Sequence, residues 1–175
     1  MRGYFAIGAE RISKPLNAGN LMRSAHAFGA SFFFTVNAQP SAIDLRSDTS
    51  KATAHLPYYH WASPAEMALP KGCKLVGVEL LEDAAELPSF RHPLQAAYIL
   101  GPERGELSEE ILARCDHTVK IPAAFCINVA MAGAIVMYDR LISLGRFMPR
   151  PVASGAPSPL DGAEAHVFGA SFRRT

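Results

Sequence analysis

Three features of this 175-residue chain predict an α/β fold, a parallel sheet flanked by helices. Tyr4 to Ala9 reads as a strand, Ala18 to Phe28 as a helix and Ser31 to Val36 as a second strand. A helical crossover between two strands is how parallel neighbours are joined. Phe32, Phe33 and Phe34 then stand in a row, so the second strand has both faces covered, as a sheet between helix layers requires. Further on, the apolar run Ala97 to Leu100 stops at Gly101 and delivers a loop, Gly101 to Gly105. Ser108 with Glu109 and Glu110 follows as a helix start, a capping side chain with acids in the first turn.

Each element has a local reason. In the first strand Phe5 and Ile7 share a face. Lys14-Pro15-Leu16-Asn17 turns the chain, and Asn17 is placed to cap the helix Ala18 to Phe28, which Gly29 closes. Leu21, Ala25 and Phe28 form its buried stripe, while Arg23 and His26 share another face with Asn20. Asn37 to His55 is polar, a length of loop that in compact domains is often functional. Pro57 to Trp61 reads as a short strand, Ser63 to Leu69 as a short helix begun by Ser63 and Pro64, and Lys74 to Leu80 as a strand. Glu82 to Pro93 is acidic, broken by proline and without firm structure.

The strand His117 to Ile121 is stopped by Pro122, and Asn128 caps a helix Val129 to Leu144 that ends at Gly145. From Val129 to Tyr138 this helix carries no charge, so it must be covered on all sides, by the core or by a second subunit. Ten residues fall short of the roughly 20 that cross a bilayer.

A hydrophobic content of 49% with 19% charged residues suits a globular chain with ample core. Residues 1–148 are expected to form one domain and 149–175 a flexible tail rich in Pro, Gly and Ala. The strand begins straight after Met1-Arg-Gly, with no signal pattern, so the expected location is cytoplasmic. Cys73, Cys115 and Cys126 are an odd number without Cys-x-x-Cys spacing, which argues against a disulfide framework and against zinc. None of the six histidines stands at ligand spacing from another, and no metal is expected. The net charge of +1 conceals basic ends and an acidic middle; if the two ends lie together in the fold, they supply a modest anion-facing surface.

The loop after Leu100 carries Glu103 and Glu106 and no lysine, unlike a phosphate-cradling loop. Such a site disfavours a triphosphate and suits a neutral or cationic ligand, with carboxylates to hold a hydroxyl or an amine. Its Gly-x-x-x-Gly spacing is not the dinucleotide fingerprint.

Three pieces of the chain, together spanning about residues 4 to 145, resemble the three motifs of the SPOUT methyltransferases of the SpoU or TrmH-like branch. Asn17-Ala-Gly-Asn-Leu-Met-Arg23 is similar to that family's asparagine-glycine-arginine helix. Leu100-Gly-Pro-Glu-Arg-Gly-Glu-Leu is similar to its Gly-x-Glu-x-x-Gly-Leu loop and runs on to Val119-Lys-Ile-Pro122. Cys126-Ile-Asn-Val-Ala resembles Ser-Leu-Asn-Val-Ser at the start of its last helix, and Lys51-Ala-Thr-Ala-His55 its small-residue segment. Cys126 stands where the family has serine, and the gap from Pro122 to Asn128 is about three residues shorter than is common there, which implies an altered cleft rim.

The resemblance implies an α/β fold with a deep C-terminal trefoil knot, a homodimer, S-adenosyl-L-methionine as cofactor and methylation of a ribose 2′-hydroxyl in transfer or ribosomal RNA; with no added RNA-binding domain read in the sequence, tRNA is expected rather than rRNA. It implies that Arg23 acts on the ribose hydroxyl by positioning and electrostatics, that Asn17 fixes its helix, and that Glu103 and Asn128 line the pocket. Cofactor contacts fall to Val78, Leu100, Gly101, Ile121, Cys126 and Ala130, with Cys126 read as a small buried thiol rather than a nucleophile. Two other readings stay open at this stage: a catalytically silent knotted RNA-binding dimer, and a base-methylating relative. The latter relies on an aspartate that the matching motifs here lack.

Overall fold

The computed structural model describes residues 3–43 and 55–145. Its centre is a seven-stranded sheet in which every pairing is parallel. The strands are β1 (Tyr4–Glu10), β2 (Phe32–Val36), β3 (Tyr58–Trp61), β4 (Lys74–Val78), β5 (Ala85–Glu86), β6 (Gln95–Leu100) and β7 (His117–Lys120), ordered β3-β2-β1-β6-β4-β7-β5. The helices are α1 (Pro15–Ala27), α2 (Pro40–Ile43), α3 (Glu109–Leu112) and α4 (Val129–Leu144). The sheet therefore runs outward from β1 through β2 to β3, and β6 is inserted between β1 and β4. The C-terminal ends of β1, β4 and β6 meet at the centre, where ligands of open α/β sheets collect.

Alternation along the strands feeds two cores. Ile7, Phe33, Tyr98 and Leu100 pack on one face beneath Leu21, Met22 and Ala25 of α1 and Val136 and Met137 of α4. Ala6, Phe34 and Ile99 pack on the other with Met67, Leu107 and Ile111. All five residues of β2 are buried, as the phenylalanine run predicts. At Gly8 the sheet leaves no room for a side chain: a Cβ would lie 2.2 Å from the Phe34 carbonyl oxygen. Gly133 does the same for the helix layer, since a Cβ there would lie 2.2 Å from Leu21 Cδ1 where α4 crosses α1.

Several expectations are corrected. Asn17 does not cap a helix beginning at Ala18; α1 starts three residues earlier at Pro15, with Lys14 in the cap position and no side-chain cap. A proline in the first turn lacks an N–H that the turn does not need, so the helix starts there. The helix expected from Ser63 to Leu69 is only a 3₁₀ turn, Pro64–Glu66, with Ser63 Oγ donating to Glu66 Oε1 at 3.2 Å instead of capping. The acidic segment expected to be without firm structure supplies β5, parallel to β7, and a 3₁₀ turn, Leu87–Ser89. The tail, and Lys51 to Ala54 of the polar loop, lie outside the described residues.

The apolar helix α4 has the predicted bounds and cap but is not covered on all sides within one chain. Met131 is 62% exposed, Ile135 40% and Tyr138 50%, and Leu16 of α1 is 63% exposed. Its other end carries an interior polar cluster. His92 Nδ1 lies 2.6 Å from Tyr98 Oη and His92 Nε2 lies 2.8 Å from Asp139 Oδ2. Arg140 donates to Tyr98 Oη and to the carbonyls of Tyr4, Pro93 and Leu94. These four acceptors offset part of the desolvation cost of burying a guanidinium, which carries five N–H donors.

Candidate functional site

At the C-terminal ends of β4, β6 and β7 the chain leaves a cleft of 340 Å³. Its floor and walls include Val78, Leu100, Gly101, Ile121 and Ile127, with Asn17, Glu79, Glu103 and Asn128 supplying polar groups. Of the residues proposed from sequence, Asn17, Glu103, Asn128, Val78, Leu100, Gly101, Ile121 and Cys126 all line it. Ala130 lies one position beyond the lining residue Val129 and spends its N–H on Asn128 Oδ1 at 2.9 Å. Arg23 is exposed and does not line the cleft. It stands six residues, about 9 Å of helix rise, beyond Asn17 and on a different face of α1.

Three of the polar residues that line the cleft, Asn17, Glu103 and Asn128, form one hydrogen-bonded junction. Glu103 Oε1 accepts from Lys14 N at 2.9 Å and from Asn17 Nδ2 at 3.1 Å, and its Oε2 accepts from Ser13 N at 3.1 Å and Ser13 Oγ at 3.0 Å. Asn17 Oδ1 in turn accepts from Asn128 Nδ2 at 3.0 Å. Asn128 Oδ1 accepts from Ala130 N and Met131 N, the cap expected of it. The carboxylate of Glu103 thus fastens Ser13 and Lys14, which lead into α1, and the Asn17 side chain on its first turn, and it favours the positive end of that helix. Burial pushes the Glu103 carboxyl up. The hydrogen bonds from Lys14 and its own backbone, from Asn17 and from Ser13 outweigh this and hold it below its ordinary range.

Sequence reasoning missed Glu79 and Lys14. Glu79 accepts from Leu80 N at 3.0 Å and Leu107 N at 2.9 Å, which pins the loop after β6 to the end of β4. Gly101 packs closely beside it: a Cβ there would lie 3.1 Å from Glu79 Oε2, so the carboxylate would have to shift slightly to admit a side chain. The expectation of a site without lysine is corrected by Lys14, which lines the cleft because its N–H is bound to Glu103. Glu106 is not a wall residue; its carbonyl accepts from Arg11. Nor is Cys126 a buried thiol: it is exposed, on the rim beside Phe125, which is 77% exposed. Among the described residues no group of three His, Cys, Asp or Glu could hold a metal ion.

The arrangement offers apolar walls and two carboxylates, Glu79 and Glu103, around a mouth, suited to a compact ligand with a flat apolar part and positive charge. Against known proteins, the model of the SpoU rRNA Methylase family matches residues 4–138, the span that holds all three motifs. The chain belongs to the SpoU rRNA methylase family. As a SpoU family chain it is 25% identical over 152 residues to the mouse (Mus musculus) protein "tRNA (guanosine(18)-2'-O)-methyltransferase TARBP1", matching 75% of itself but 9% of that protein. The SpoU methyltransferase AviRb of Streptomyces viridochromogenes, solved in complex with AdoMet, superposes with a TM-score of 0.71 at 25% identity, over 83% of this chain and 60% of AviRb. A structure described as "Structural insights into the 2-OH methylation of C/U34 on tRNA" superposes with a TM-score of 0.67 at 26% identity, over 82% of this chain and 98% of that one. The motif resemblance is thereby borne out at the level of the family.

Proposed function

We propose that this protein transfers a methyl group from S-adenosyl-L-methionine to a ribose 2′-hydroxyl of RNA, and of tRNA in particular. The observation that carries the reading is the junction Glu103–Asn17–Asn128, which ties all three SpoU motif segments into one wall of the cleft. The relatives named for tRNA 2′-O-methylation and the AviRb complex with AdoMet support it. The residues present fit the cofactor: Val78, Leu100 and Ile121 for its apolar part, main chain at Gly101, and Glu79 and Glu103 toward its positive charge. Bound there, S-adenosyl-L-methionine supplies an electrophilic methyl group on a sulfonium.

The chain's own residues then have defined tasks. Glu103 has both oxygens occupied by four donors, so it holds the wall and does not take the ribose proton, which passes to solvent. Arg23 orients the RNA around the 2′-oxygen with its guanidinium. It shares the exposed side of α1 with Leu16 and Asn20, and the neighbouring face of α4 is apolar and uncovered, which supports a homodimer closed through these helices with Arg23 at its edge. The sheet order, with β6 between β1 and β4 and α4 returning from β7 to α1, supports a trefoil-knotted C-terminal part. A cytoplasmic location belongs to the same reading.

Calorimetric titration with S-adenosyl-L-methionine, followed by labelled methyl transfer to tRNA, tests it. One site per chain and label at an alkali-resistant ribose are the expected results. Failure to bind the cofactor sinks the reading and favours a silent RNA-binding dimer.

A further inference from the structure

Next to the cofactor cleft, on the other side of Glu103, lies a second cleft of 340 Å³ lined by Arg11, Ser13, Lys14, Pro102, Glu103 and Arg104. Three of its six residues are cationic. Its single carboxylate, Glu103, is saturated by Ser13, Lys14 N and Asn17, and the neighbouring Glu10 is held by Ser108 N and Oγ. Arg11 is fixed in place. Its backbone sits at φ 51°, in the left-handed region that a non-glycine residue rarely adopts, and its guanidinium donates to the Glu106 carbonyl while Nε stays 3.9 Å from Glu10 Oε2. The Lys14 ammonium and the Arg104 guanidinium make no hydrogen bond or ion pair among the described residues. Three cations against one carboxylate leave this concave site net positive, with Lys14 and Arg104 unpaired among the described residues.

Resting on the reading above, we propose that this second cleft binds a phosphodiester of the RNA beside the target nucleotide. Lys14, Pro102 and Glu103 line both clefts, so a nucleotide whose ribose faces the first presents its flanking phosphate to the second. Arg104 offers that phosphate a planar fork and Lys14 a point charge, with Arg11 as the fixed back wall. Contacts to phosphate set register without reading sequence, so this cleft positions the ribose and leaves base choice to other surfaces.

The test uses the full chain with Arg104→Ala and Arg104→Glu, a position outside the cofactor cleft, and an unmodified tRNA pool transcribed in vitro. Removing one phosphate contact is expected to lower the slope of log affinity against log salt by about 1, and the reversed charge to weaken binding about tenfold near 0.1 M salt. Cofactor affinity by calorimetry stays at the wild-type value in both variants. A wild-type salt slope in Arg104→Ala overturns the proposal, as does failure of the unaltered protein to bind RNA. A fall in cofactor affinity also overturns it, because the anion held is then the cofactor's own carboxylate. RNA binding with no cofactor binding would sink the methyl-transfer reading alone.

Discussion

Asn128 donates to Asn17 across 111 positions of sequence, Nδ2 to Oδ1 at 3.0 Å, while its own Oδ1 caps α4. One side chain thus starts a helix and fastens it to another. Asn128→Ala removes both functions and is expected to cost about 1–2 kcal/mol in chemical denaturation at unchanged m value. Asn128→Asp keeps the cap and loses the donor to Asn17, so it should fall between wild type and Ala. Equal losses in the two variants would show that the link to α1 carries nothing.

The Glu103 carboxyl is held low despite its burial, because four donors favour the charged form. A depressed carboxyl contributes stability that is present above its unfolded value, about 4.3, and lost as pH falls through its folded value. Wild type should therefore lose thermal stability below about pH 4.3, and Glu103→Gln should show a shallower acid limb. Melting temperatures measured across that range decide it; parallel curves would contradict the assignment.

His92 has the opposite sense. Burial pushes its imidazole down, against the pull of Asp139 and together with the repulsion of Arg140. The folded protein thus prefers it neutral, and stability is full above the ordinary value of about 6.5 and declines as pH falls below it. His92→Gln should flatten the decline between about pH 6.5 and pH 5 while lowering stability at pH 8 through the weakened hydrogen bonds to Tyr98 and Asp139. An unchanged slope in that window would assign the acid sensitivity elsewhere.

The uncovered face of α4 and the position of Arg23 belong to one expectation. Ile135→Glu places a charge in the middle of the apolar face and should convert a dimer into a monomer by light scattering, with loss of methyl transfer. Arg23→Ala should abolish transfer with the dimer and cofactor binding intact. Full activity in that variant would remove its assigned role.

What the sequence made legible was local in origin. The bounds of α4, its cap at Asn128 and the coverage of Phe32 to Phe34 follow from residues next to one another, and the structure has them as expected. Asn17 was misjudged because its partner Glu103 lies 86 residues away, and no nearest-neighbour rule exposes a helix start fastened from a distant loop. Lys14 and Glu79 escaped for the same reason: each faces the cleft through contacts to a different strand end. The His92, Tyr98, Asp139 and Arg140 cluster leaves no spacing signal, since its members meet only when α4 lies across β6.

The distribution of thiols makes the cleft chemically addressable. Burial pushes Cys73 up and Cys115 to about 11, and both are half-buried, whereas Cys126 stands exposed on the cleft rim. Thiolates are the species that alkylate, so a maleimide dye offered in equimolar amount should mark Cys126 first. An environment-sensitive fluorophore there would report occupancy of the cleft in the native chain, without introducing or deleting any residue.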